Sequence, residues 1–197
     1  MRQEKRAARA EEIEAAAYAV LDAKGFEGLS MLAVARAAKA SNETLYRWYG
    51  DKQGLFRALI GRNTETVRAT LAAAEGGDAM QVLARVGPEL LAMLLGPRAV
   101  ALNRAAAADG SGTLGRALSE AGRGAVRPWI EAVMAQAVGA GQLAGDVGDM
   151  AETWFALLIG DLQVRRVTGA MAAPSAPEIA ARADAALARL ARLFPPA

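Results

Sequence analysis

The sequence predicts an all-α protein: an N-terminal helix-turn-helix module of three helices followed by a larger helical domain. Three observations predict it. Ala, Leu, Arg and Glu dominate the 197 residues, aromatics make up only 5%, and β-branched residues rarely run together, which suits helices and leaves little to build a sheet. Apolar side chains recur at spacings of three and four. Before residue 60 these periodic segments are short and punctuated by helix starters and stoppers, whereas later ones are longer and separated by Gly and Pro.

Residues 10–24 place Ile13, Ala16, Ala17, Val20 and Leu21 on one side of a helix, and Gly25 is suited to end it as a C-cap. Ser30 caps a short helix with Met31, Val34, Ala35 and Ala38 inward. After a break at Lys39-Ala40, Ser41 caps the next helix, which turns Leu45, Trp48 and Tyr49 inward. Gly50-Asp51 ends that helix, and Asp51 caps a fourth that buries Leu55, Phe56, Leu59 and Ile60. Further boundaries are expected at Gly76-Gly77, Gly96-Pro97, Asp109-Gly110, Gly139 to Gly141 and Pro174 to Pro177, with Pro88 kinking or starting the helix within 78–95. The last two helices are expected at about 147–168 and 177–194.

The chain has neither Cys nor His, which removes disulfides, thiol chemistry, histidine-based zinc sites and imidazole bases. No metal, cofactor or catalytic residue is expected. Asp109, Glu120, Glu131, Glu152 and Asp161 are the carboxylates an enzyme would have to use, and their spacing suggests no pair or metal set. The apolar stretches Val82 to Leu95 and Trp154 to Leu162 are too short or too interrupted to span a bilayer. The charged N-terminus also lacks the apolar run of a signal peptide, so a cytoplasmic protein without a membrane partner is expected.

Charge is distributed unevenly. Residues 1–60 hold ten basic and eight acidic side chains, and the remainder holds thirteen of each, so the whole excess of +2 lies at the N-terminal end. An anionic partner and a mildly basic solvated surface both fit this pattern. The tail Arg2, Lys5, Arg6 and Arg9 is either an arm for an adjacent minor groove or a disordered, solvated end.

Two short capped helices separated by a few residues form a helix-turn-helix pattern or an ordinary helical hairpin, and the second helix favours the former. Asn42, Glu43 and Arg47 suit base edges, since Asn pairs with adenine, Glu accepts from cytosine and Arg forks onto guanine. Ser41, Thr44 and Tyr46 offer hydroxyls to phosphates or bases. Lys52 starts the next helix, where its charge joins the helix dipole in holding a phosphate.

Residues 8–60, through Gly25-Phe26, Ser30, Ala35, Ala38, Ser41, Thr44-Leu45-Tyr46, Tyr49, Lys52 and Leu55-Phe56, resemble the DNA-binding domain of the TetR family of transcriptional regulators. The resemblance implies DNA-backbone contacts by Ser30, Thr44, Tyr46, Tyr49 and Lys52, with Asn42, Glu43 and Arg47 nearer the bases. Two positions depart from the family pattern: Lys39 stands where Gly is usual in the turn, and Leu32 replaces a polar surface residue.

The rest of the chain resembles the ligand-binding domains of the AefR-like branch through Gly96-Pro97-Arg98, Asn103-Arg104, Gly122, Phe155 and Gly160-Asp161. This divides the protein into a DNA-binding domain at 1–52, with a basic tail at 1–9, and a ligand-binding and dimerisation domain at 53–197. Met93, Trp129, Met134, Met150 and Trp154 are candidates for adaptable pocket walls, although core packing is the commoner role of such side chains. A stripe of Ile179, Ala183, Ala186, Leu187, Leu190 and Leu193, with Leu158 and Leu162 on the preceding helix, is the expected homodimer surface. The expectation is a dimeric regulator of a double-stranded DNA operator. Repression, and release by an apolar small-molecule effector, are implied by the resemblance. A constitutive architectural protein is the alternative.

Overall fold

A computed structural model describes residues 2–73 and 77–196, with side chains from Glu4 onward. Gly76 of the expected Gly76-Gly77 boundary and the Arg2 side chain lie outside the described residues. No strand occurs among those described. The helices are α1 (Arg2–Gly28), α2 (Met31–Ala37), α3 (Asn42–Tyr49), α4 (Lys52–Ala73), α5 (Ala79–Leu95), α6 (Pro97–Ala108) and α7 (Thr113–Leu118). A π-helical turn (Ser119–Arg123) follows, then α8 (Gly124–Gly139), α9 (Val147–Ile159), α10 (Leu162–Thr168) and α11 (Ala176–Leu193).

The chain forms two compact units: residues up to Arg62 with Ala101–Ala121, and Asn63–Val100 with Gly122 onward. These units follow packing, whereas a division at residue 52 follows the DNA-reading motif. The first packing unit therefore takes in the start of α4, most of α6, and α7.

In the first unit Ile13, Ala17, Leu21, Val34, Leu45, Leu55, Phe56, Leu59 and Ile60 are buried, and Leu102, Ala105 and Leu114 join them. Their spacing puts one apolar stripe on each helix, and burying those stripes together brings the helices into contact. The starts of α2, α3 and α4 are capped by side chains. Ser30 Oγ accepts from Ala33 N (3.1 Å), Ser41 Oγ from Thr44 N (3.0 Å) and Asp51 Oδ1 from Gly54 N (2.7 Å). Gly25 has φ +65° and kinks α1 before its final turn, which a side chain would resist. Helix α1 begins at Arg2 instead of residue 10, so the expected tail is helical. Its residues are strong helix formers, and Arg6 and Arg9 gain tertiary partners described below.

The second unit is built around α5, which packs against α8, α9, α10 and α11. Leu83, Val86, Leu90, Ile130, Met134, Met150, Trp154, Leu158, Ala186 and Leu190 form its interior. A Cβ on Gly87 would lie 3.3 Å from the Ala183 Cβ, so α5 and α11 approach closely there. Helix α5 starts at Ala79 under an Asp78 cap and keeps Pro88 inside it. The helix expected at 147–168 is two, because Gly160 takes φ +50° and ends α9. Arg182 Nε donates to the Leu158 carbonyl (3.0 Å) beside this break. Helix α11 begins with a reciprocal cap in which Glu178 accepts from both Ser175 N and Oγ. Among the described residues no single helix is long and apolar enough to cross a membrane.

Candidate nucleic-acid interface

Helix α3 has two faces. Leu45 is fully buried, while Asn42, Glu43, Tyr46 and Arg47 are exposed, and the intervals of one and four residues put these four on one side. Tyr46 is 50% exposed despite its size. Glu43 and Arg47 form a loose 3.8 Å ion pair in solvent, so a nucleic acid can exchange partners with them at little cost. Ser41 and Thr44 share a hydroxyl hydrogen bond (2.8 Å) while Ser41 caps the helix. Ser30 is exposed with its oxygen engaged as the α2 cap.

Two sequence candidates sit differently from this face. Tyr49 is half-buried, and its hydroxyl is enclosed with no hydrogen-bond partner among the described residues. Burial, then the nearby Glu14 carboxylate, pushes its pKa up to about 12 against an opposing pull from Arg62. A phosphate contact through that oxygen requires a different rotamer. Glu14 is only 8% exposed and is held by Arg62 Nε at 3.0 Å, with Glu11 at 3.6 Å from the same guanidinium. Lys52 sets its Nζ 3.7 Å from the centroid of the Phe26 ring. Burial lowers its pKa and the Glu27 charge works the other way. The ring steers this ammonium while leaving it a cation.

Sequence reasoning passed over Arg36 and read Arg6 and Arg9 as a minor-groove arm or a solvated tail, whereas both have partners within the protein. Arg36 is exposed in the last turn of α2, beside the exposed Leu32. Arg6 places its guanidinium 5.3 Å from the Trp48 ring centroid. Arg9 pairs with Glu12 and donates from one terminal nitrogen to the carbonyls of Ala38 (2.9 Å) and Lys39 (2.8 Å), in the turn between α2 and α3. Lys39 has φ +50°, the sole positive value at a non-glycine among the described residues. Such a backbone costs an L side chain about 1 kcal/mol relative to Gly. The missing Gly at position 39 was the one signal in the sequence that the turn needs outside support.

In the second unit, Met134, Met150 and Trp154 lie wholly inside the core, and Met93 and Trp129 lie partly exposed at its edge. Of the residues expected at a dimer surface, Leu158 and Leu190 have no exposure and hold helices of their own chain together, which corrects that expectation for both. Leu162, Ile179 and Leu187 are partly exposed, and Val164 and Leu193 stand out at 65% and 59%. The carboxylates considered for catalysis are occupied structurally in three cases. Asp109 accepts from Leu114 N and from Ser111, bonds that lower its pKa. Glu152 binds Arg123 (2.7 Å) and Arg127 (3.2 Å), and Glu131 binds Arg127 (2.6 Å).

A capped helix with an exposed Asn, Glu, Tyr and Arg face, joined by a short turn to a helix packed behind it, defines a helix-turn-helix DNA-binding regulator. Residues 13–59 match the profile of bacterial regulatory proteins of the tetR family, and residues 81–193 match that of the AefR-like transcriptional repressor C-terminal domain. The chain belongs to the TetR family of transcriptional regulators, in its AefR-like branch. A protein from Mesorhizobium loti assigned to TetR-family transcriptional regulators is similar at 24% identity, over 95% of this chain and 97% of its own, with a TM-score of 0.78. A TetR transcriptional regulator from Agrobacterium tumefaciens is 28% identical over 94% of both chains, with a TM-score of 0.75. The transcriptional regulator FadR from Bacillus subtilis, solved with stearoyl-CoA, shares the fold at 14% identity over 91% of this chain and 96% of its own, with a TM-score of 0.72. No curated protein sequence matches the chain.

Proposed function

We propose that this protein is a repressor that holds a palindromic operator in the cytoplasm as a homodimer and leaves it when a small molecule binds within 53–197. The observation that carries the DNA half is the α3 face of Asn42, Glu43, Tyr46 and Arg47, fully presented while Leu45 anchors the helix behind it. On this reading Asn42, Glu43 and Arg47 read bases, and Ser30, Ser41, Thr44, Tyr46, Tyr49 and Lys52 hold the backbone. One motif carries little specificity, whereas two placed about one DNA turn apart read a palindrome. The outer apolar side chains Leu162, Val164, Ile179, Leu187 and Leu193 supply the dimer contact.

The effector half is supported by polar groups that the second unit leaves undersatisfied. Glu89 buries Oε2 with no partner among the described residues, and one turn further along α5 the Met93 sulfur is the acceptor for Asn63 Nδ2 (3.0 Å). A buried carboxylate oxygen without a donor is costly, and a ligand that brings one removes the cost. The effector is therefore an apolar molecule with a hydrogen-bond donor. FadR from Bacillus subtilis, which shares the fold, is solved with stearoyl-CoA, a ligand with a long acyl chain, and this supports an effector with an apolar part.

The test is selection from random duplex DNA at two salt concentrations. A palindrome with half-sites about 10 bp apart, or a multiple, supports a dimeric operator reader. An asymmetric site, or only salt-sensitive background, overturns it. With the operator in hand, an effector must lose affinity when DNA is bound by the same factor that it weakens DNA binding. Equal effector affinity with and without operator removes the release mechanism.

A further inference from the structure

The α2–α3 turn is the joint that sets the angle of the recognition helix, and this chain builds it with Lys39 in a left-handed backbone that favours glycine. The Ala38 and Lys39 carbonyls lie just past the end of α2, where helix carbonyls lack intrahelical donors. Arg9 supplies both with donors from one terminal nitrogen, across about thirty residues of sequence, while Glu12 on the next turn of α1 holds the other terminal nitrogen. Its positive charge also sits at the negative end of α2. One turn earlier, Arg6 lies against Trp48 of α3, so α1 touches the motif on both sides of the turn.

We propose that Arg9 is a positioning residue of the DNA-binding motif: its guanidinium clamps the α2–α3 turn around Lys39 and thereby fixes the pose in which α3 meets DNA. A guanidinium suits the task because it is planar, permanently charged and offers several fixed donors, whereas an ammonium is a point charge on a flexible stem. Arg9 acts through α3, with both terminal nitrogens committed to protein. The inference needs only that the motif binds DNA and is independent of repression, palindromy or an effector.

The test compares Arg9→Lys, Arg9→Ala, Lys39→Gly and the double variant Arg9→Lys with Lys39→Gly. The Ala40 amide donates to the Ala35 carbonyl (2.9 Å) inside the turn, so its hydrogen exchange reports turn opening without any DNA. Binding is read with the random-sequence duplex pool and with the duplex selected from it. Arg9→Lys is expected to speed Ala40 exchange and weaken the selected duplex about tenfold. It should leave binding to the random pool within about twofold and keep the salt slope, since charge is retained and no phosphate contact is lost. Arg9→Ala should match it. Lys39→Gly in the Arg9→Lys background should restore most of the affinity, because glycine holds the turn unaided.

Wild-type exchange and affinity in Arg9→Lys would overturn the clamp. So would Arg9→Ala flattening the salt slope by about 0.9, the value of one phosphate contact, with no rescue by glycine. If selection returns no preferred duplex, the exchange rates of Ala40 in Arg9→Lys and the double variant decide the matter alone.

Discussion

Both compact units bury an apolar interior, and they differ in how polar contacts are placed around it. The first fastens its helix-turn-helix with placed polar contacts: caps at Ser30, Ser41 and Asp51, the Tyr18 hydroxyl donating to the buried Leu59 carbonyl (2.9 Å), Arg62 on Glu14, and Arg9 on the turn. The second encloses α5 in leucine, valine, methionine and Trp154, and carries the ion pairs of Arg123 and Arg127 with Glu152 at its exposed surface. Reading base edges demands a helix held at one angle, and hydrogen bonds are directional. Enclosing a variable ligand demands only an apolar interior of suitable size, which accepts hydrophobic substitution as long as volume is kept. The family likeness is accordingly carried by named residues in the first unit and by scattered ones in the second.

The largest expected effect tests the apolar side of this contrast. Trp154→Ala empties the centre of the second unit and should cost about 3–5 kcal/mol in a denaturation experiment. A loss under about 1 kcal/mol would mean that packing there is loose and the contrast false. Tyr18→Phe tests the polar side by deleting one buried donor, with about 1 kcal/mol expected. Ser41→Ala should cost a similar or slightly smaller amount, about 1 kcal/mol, and should also weaken the selected duplex, because the lost cap begins the recognition helix.

A smaller effect is read against pH. The folded chain keeps the Tyr49 proton up to about 12, whereas an ordinary tyrosine gives it up from 10.0, so stability should fall as pH rises through that interval. Tyr49→Phe should remove this component from both the stability profile and the ultraviolet phenolate titration. The smallest expected change is Glu43→Gln, which breaks an exposed pair and should move stability by no more than about 0.5 kcal/mol. Its effect belongs in the base preference of the selected duplex, and a large stability change would show that α3 depends on its outer face.

Much of the first unit was legible because caps and three-four spacing are local signals. Ser30, Ser41, Gly50 and Asp51 bracket their helices, and Leu45 turns inward while Asn42 and Arg47 turn outward. The start of α1 was not legible, since residues 2–9 have no apolar face of their own and gain their order from Trp48 and the distant turn. The break at Gly160 was hidden by apolar spacing that continues through Leu158 and Leu162. At the site, the exposed face could be read, but the buried Tyr49 hydroxyl and the Arg9 bonds depend on residues far apart in sequence. Met150 and Trp154 have the same side chains whether they line a cavity or fill a core, so spacing could not separate the two roles.

The π-helical turn Ser119–Arg123 is a place where the chain can change length. A wide turn of this kind carries one residue more than an α-helical path needs. Removing one of the five leaves the winding of α8 in phase, so Val126, Ile130 and Met134 still face their core. Keeping all five while tightening the turn to α pitch would instead shift the register of α8 by one residue, about 100° of winding, and bring Arg127 round toward the apolar side of its own unit. A one-residue deletion at Ala121 or Gly122 is therefore milder than a substitution that forces regular winding, an inversion of the usual ranking of the two kinds of mutation within a helix.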